Sequence, residues 1–249
     1  MIPRLKLFEE LIVPNFEDSR NSSKMNLKII SLIFLVSVAA CSAPDKKKEQ
    51  KSQQQAVNEQ RNIDQKKILM FFGNSITAGY GIALEESFPS VIQNWIDSLD
   101  YPYQVVNAGL SGETTAGGLN RIDWVLQTVP DVFVLELGAN DGLRGLDLEE
   151  SEKNLIAIVN KVKKVNPVAL IFIASMEVPP NLGVDYTSKF RSIFPAAANA
   201  TEAQLIPFIL DGVGGNPELN QDDGIHPTAK GAKVVAKNVW EYLEPHLKK

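Results

Sequence analysis

Cysteine occurs once in the 249 residues and histidine twice. One thiol cannot close an intramolecular disulfide, so a disulfide-stapled scaffold is excluded, and a cysteine-based zinc site cannot be assembled. Basic residues are not in excess either: 25 Lys and Arg stand against 30 Asp and Glu. A chain with that balance lacks the clustered cations that displace counterions from a phosphate backbone, so nucleic acid is not an expected partner. No apolar run approaches the roughly 20 residues that span a bilayer as a helix. What remains, 44% hydrophobic and 22% charged residues, is the composition of a globular protein rather than a collagen, a coiled coil or a wholly disordered chain.

The longest apolar stretch, Ile29 to Ala40, is interrupted only by serines, follows Lys28 and ends in Val38-Ala39-Ala40-Cys41. A basic start, a short apolar run and small residues at a boundary mark a secretory signal. The ending resembles the bacterial lipoprotein signal, in which cleavage precedes the cysteine and its sulfur receives a diacylglycerol. Cys41, the lone cysteine, is therefore the expected lipidation site. Residues 1–24 precede a better start at Met25 and are expected to be an upstream extension, with 25–40 as the signal. Residues 41–66 are expected to carry the lipid and act as a disordered tether, being rich in Lys, Gln, Glu and Asn with few apolar residues. This places the protein outside the cytoplasm, anchored to a bacterial membrane and facing the periplasm or cell surface.

From Lys67 onward, short apolar runs alternate with helical periodicity. Candidate strands are Ile68 to Phe72, Val105-Val106 leading to Gly109, Val132 to Leu137, Val168 to Ala174 and Leu205 to Leu210. Candidate helices are Ser87 to Leu99, Gly118 to Thr128, Glu149 to Val165, Tyr186 to Ala200 and Thr228 to Leu243. In the third, Leu155, Ile158, Val159 and Val162 fall on one face. Alternation of this kind predicts one α/β domain over 67–249, a three-layer α/β/α sandwich around a parallel sheet of about five strands. Ligands of such sheets sit beyond the carboxyl ends of the strands.

The segments at that rim limit the chemistry. Gly73-Asn74-Ser75-Ile76-Thr77 has neither the lysine nor the spacing of a phosphate-binding loop, and no Gly-x-Gly-x-x-Gly opens a helix. It also lacks the strand-end aspartate of a magnesium phosphotransferase. A hydroxyl nucleophile remains, Ser75, which needs a general base, usually histidine oriented by a carboxylate. His246 lies in the tail Pro245-His246-Leu247-Lys248-Lys249 and is expected to be solvated. His226 lies in the loop Asp223-Gly224-Ile225-His226-Pro227, where Asp223 is placed to hold one ring nitrogen while the other faces the nucleophile.

Gly73-Asn74-Ser75, Gly112, Gly138-Ala139-Asn140-Asp141 and Asp223-Gly224-Ile225-His226-Pro227 resemble, in order, the four blocks of the SGNH hydrolases, also called the GDSL lipase/esterase family. Asn140-Asp141-Gly142-Leu143-Arg144-Gly145 is closest to the bacterial thioesterase I, lysophospholipase and arylesterase group. The resemblance implies a flavodoxin-like fold and a serine hydrolase of acyl esters or thioesters that uses no cofactor and no metal. It implies Ser75 as nucleophile, His226 as base and Asp223 as its orienting acid. The oxyanion would be held by the backbone N–H of Ser75, the backbone N–H of Gly112 and the side-chain amide of Asn140. One departure stands out: the first block usually reads Gly-Asp-Ser, and here Asn74 replaces the aspartate.

The expected partners are a small acyl substrate and, through Cys41, a membrane; the oligomeric state is open, with a monomer expected. Two other functions stay open, a carbohydrate O-acetylesterase of the same family and a non-catalytic binding lipoprotein. Glu113 and Thr114 read best as caps of the following helix. Tyr80, Leu84, Leu110, Leu143, Pro180 and Ile225 are candidates for an acyl groove or for simple rim packing.

Overall fold

Four consecutive residues of the first apolar run, Leu69 to Phe72, are wholly shielded from solvent, which requires cover on both faces. The computed structural model describes residues 66–249; the expected signal, Cys41 and the tether up to residue 65 lie outside the described residues. Within them, the run forms β1 (Lys67–Gly73), which pairs in parallel with β2 (Tyr103–Gly109) on one side and β3 (Val132–Glu136) on the other. β4 (Leu170–Ala174) and β5 (Gln204–Ile206) extend the sheet, giving the order β2-β1-β3-β4-β5 with every pair parallel. After β2 the chain crosses to the far side of β1, so the sheet reverses its winding between β1 and β3. A crevice opens there at the carboxyl ends.

Helices cover both faces. α2 (Phe88–Ser98) packs against α7 (Ala229–Leu243), while α5 (Leu148–Val165) packs against α3 (Thr115–Val125) and α6 (Val184–Thr201). The face of α5 expected from spacing, Leu155, Ile158, Val159 and Val162, is fully buried. Asp147 caps that helix by accepting the N–H groups of Glu149 and Glu150, and Lys163 and Lys164 sit in its last turn, as the helix dipole favours.

Several boundaries differ from expectation by two to four residues, three of them for a plain physical reason. β5 stops at Ile206 because Pro207 follows, and proline has no N–H to continue the ladder. β4 begins at Leu170, with Val168 left 89% exposed. α3 begins at Thr115, ahead of Gly117 and Gly118, whose low helix propensity hid its first turn. Gly118 is required there: a Cβ would lie 2.4 Å from Leu137, so the helix can seat directly on the sheet. Two further helices, α1 (Ser75–Ala78) and α4 (Ala139–Leu143), were not expected from periodicity. Both stand at the crevice.

Candidate active site

The end of β1 turns sharply into α1. At Gly73 an added Cβ would lie 2.2 Å from the Thr77 hydroxyl and 2.6 Å from a Glu136 carboxylate oxygen, so no side chain fits. Asn74 caps α1, its Oδ1 accepting the N–H of Ile76 at 2.9 Å. Ser75 is then the first helical residue, partly exposed, and Gly79 ends the helix with φ of 74°. Beside Ser75 lies a small apolar recess lined by Ile76, Tyr80, Ile82, Phe88 and Pro227.

The His226 loop closes over this turn. Ser75 Oγ is 2.9 Å from His226 Nε2, and His226 Nδ1 is 2.6 Å from Asp223 Oδ2. Asp223 Oδ1 accepts the backbone N–H groups of Ile225 and His226, both at 2.9 Å. Burial by itself would raise the Asp223 carboxyl, but hydrogen bonds from the His226 ring and from those N–H groups outweigh it and lower the pKa to about 2. Gln221 ties the two loops together, its Nε2 donating to the carbonyls of Tyr80 (2.7 Å) and Pro227 (3.0 Å). The Tyr80 ring packs on the imidazole with centroids 4.7 Å apart. His246, the other histidine, is exposed in the tail.

The third group comes from the loops after β2 and β3. Gly112 has φ of 79°, and its carbonyl accepts from the Arg144 guanidinium at 3.0 Å. Among the described residues, no protein group accepts the N–H of Gly112 or of Ser75. Asn140 Nδ2 donates to the Glu113 carbonyl at 3.0 Å, which orients the amide and leaves its second N–H unassigned. Asp141 is buried and joins the elements: it accepts from the Thr115 N–H and hydroxyl and from the Ser151 hydroxyl. Thr114 caps α3 as expected, accepting from Gly117. Glu113 does not cap; it pairs with Arg121, which also donates to the Ala108 carbonyl.

Ser75, His226 and Asp223, singled out from sequence, thus form a continuous hydrogen-bonded chain at the carboxyl ends of the strands. The model of the GDSL-like lipase/acylhydrolase family matches residues 71–234, which contain all four blocks. The chain belongs to this family. It is similar to the esterase TesA of Pseudomonas aeruginosa, with 36% identity over 72% of this chain and 89% of that protein. An arylesterase of Vibrio mimicus is 36% identical over the same shares. Thioesterase 1/protease 1/lysophospholipase L1 of Escherichia coli is 34% identical over 71% of this chain and 83% of the relative. Among solved structures, TesA superposes with a TM-score of 0.69 at 36% identity, covering 72% of this chain and 99% of the other. The esterase EstA of a Pseudoalteromonas species, solved with monoethylphosphonate as inhibitor, gives 0.68 at 31% identity, covering 72% and 97%.

Against this GDSL-like frame, sequence reasoning missed three residues that shape the site. Gln221 lies just ahead of the Asp223 loop and carries no motif of its own, and Asp141 stands in the sequence only as the neighbour of Asn140. Glu136 was read as part of an apolar strand, although a carboxylate at the end of Val-Phe-Val-Leu is itself a signal, since buried charge is kept only with partners. The groove candidates Tyr80, Leu84, Leu110, Leu143, Pro180 and Ile225 are all exposed, and Tyr80 lines the recess beside Ser75.

Proposed function

We propose that this family member is a serine esterase that cleaves acyl esters or thioesters through an acyl-enzyme on Ser75. The observation that carries the proposal is the Ser75–His226–Asp223 chain at 2.9 and 2.6 Å. His226 Nε2 takes the proton from Ser75 Oγ as the oxygen attacks the acyl carbon, and returns it to the departing alcohol or thiol. Asp223, held ionised by its N–H donors, keeps the ring oriented and stabilises the imidazolium. The free N–H groups of Ser75 and Gly112, with the oriented amide of Asn140, point to an oxyanion site whose donors are in place before charge develops. Water then attacks the acyl-enzyme by the same route in reverse, and the acid is released. The arylesterase, thioesterase and lysophospholipase names of the relatives support an acyl substrate of this class.

The sequence motif supports a lipid anchor on Cys41, a signal over 25–40 and a tether up to residue 66, which would place the enzyme at a bacterial membrane facing the periplasm or cell surface. Ser75→Ala is expected to abolish p-nitrophenyl ester hydrolysis while the circular dichroism spectrum is kept. Undiminished turnover in that variant would overturn the assignment.

A further inference from the structure

Among the described residues, Glu136 alone of the buried carboxylates at the crevice has no cation and no tie to a helix terminus remote from the nucleophile. It is the last residue of β3 and 1% exposed. Its partners are Asn74 and Thr77: Oε1 accepts from Asn74 Nδ2 at 2.7 Å, and Oε2 accepts from the Asn74 N–H at 3.2 Å and from the Thr77 hydroxyl at 2.8 Å. Both residues flank Ser75 in the turn that presents its hydroxyl. The Asn74 carboxamide cannot flip, because Oδ1 already accepts the N–H of Ile76. Its amide end must therefore donate to residue 136, and the ionised Glu136 accepts at both oxygens. A glutamine there can keep the Asn74 amide bond in one orientation only, with its NH2 turned toward Thr77, whose hydroxyl must then accept instead of donate, and toward the Asn74 N–H, which retains the Glu136 main-chain carbonyl at 3.2 Å.

We infer that Glu136 is a positioning residue for Ser75, acting through Asn74, and that the fixed polarity of this pair, amide donating to carboxylate, holds the nucleophile turn in register with His226. The inference rests on the proposed role of Ser75. It also accounts for the departure at position 74. The family's usual aspartate would set two carboxyl groups 2.7 Å apart in a buried site, where one must hold a proton; asparagine completes the pair without it. No charged group faces Glu136 from β1 or α1, where its partners are neutral, and burial raises its pKa to about 7, with the hydrogen bonds from Thr77 and Asn74 opposing.

Exchange of the two roles provides the test. In Glu136→Gln, the rate at which a fluorophosphonate labels Ser75 is expected to fall about 10- to 100-fold, as for a small displacement of an attacking group. In the double variant Asn74→Asp with Glu136→Gln, the aspartate accepts from both Ile76 and the glutamine amide, every donor is matched, and the rate is expected to return toward wild type. Asn74→Asp alone is expected to lose rate, relative to wild type at the same pH, progressively as pH rises and the shared proton leaves. Labelling is read per folded molecule, with circular dichroism alongside; if Glu136→Gln does not fold, the double variant and the pH profile of Asn74→Asp carry the test. Wild-type labelling in Glu136→Gln, or a folded double variant that labels no faster than Glu136→Gln, would overturn the inference. A wild-type protein that does not label at all would instead remove Ser75 as nucleophile, which separates the two failures.

Discussion

Asp223 shows how a single carboxylate can carry both orientation and charge. Its Oδ1 is committed to two backbone N–H groups, so in Asp223→Asn the oxygen must stay there and the NH2 must face His226 Nδ1. The ring then keeps its proton on Nε2, pointing at Ser75, and cannot act as base. Turnover is expected to fall by about 10⁴-fold with the fold intact, and a loss under tenfold would contradict the role. The depressed pKa adds a pH expectation. A folded-state value of about 2 against 3.8 means that the hydrogen bonds of the carboxylate stabilise the loop fully above about pH 4 and are lost as pH falls toward 2. Glu136 has the opposite sign. Raised from 4.5 to about 7, it makes folding less favourable as pH rises through that window, by on the order of 3 kcal/mol, and contributes no slope above it. Denaturant unfolding at pH 5 and 7 should show this slope in wild type and its absence in Glu136→Gln. Ser75, His226 and Asp223 were legible in the sequence because only two histidines compete for the base and one sits in a short Asp-x-x-His loop. Glu136 was not, because strand patterning records alternation and burial, while its partners are some 60 residues away in the chain.

The elements were legible in proportion to their length. Helices of 11 to 18 residues show several turns of periodicity, and the central strands show as apolar runs. α1 and α4, of four and five residues, offer barely a turn each, and are held by capping and tertiary contacts rather than by their own propensity. They are nevertheless the elements that carry Ser75 and Asn140. The contact between the α1 turn and the His226 loop depends on Gln221, which bridges to the Tyr80 carbonyl, and on Gly81, where φ is 77° and a Cβ would lie 2.1 Å from the Gln221 side chain. Gln221→Ala removes the bridge without opening the core, because the loop retains the Gln221 N–H to His226 carbonyl bond. Its expected effect is a fall in kcat of about 10-fold, from a less well held base, with little change in Tm. A Tm loss with unchanged kcat would show that the bridge serves the fold and not the site.

At the scale of the whole molecule, the site is complete within one chain, because β1, β2 and β3 and the His226 loop supply every group in the proposed mechanism. No helix among the described residues is long and apolar enough to cross a membrane, and the proposed attachment is through Cys41, ahead of β1. Cys41 precedes Lys66 by 25 residues. One acyl chain holds a protein only marginally, whereas two or more anchor it stably. Cys41→Ser is therefore expected to move the protein from the membrane to the soluble fraction while kcat on a soluble ester is unchanged, since every group in the proposed mechanism lies among the described residues. Activity toward esters embedded in vesicles should fall at equal protein concentration, because the anchor's effect is to concentrate the enzyme at the surface. A variant that remains in the membrane fraction would locate the attachment elsewhere than on Cys41, and one that loses kcat on the soluble ester would show that the leading segment contributes to the site.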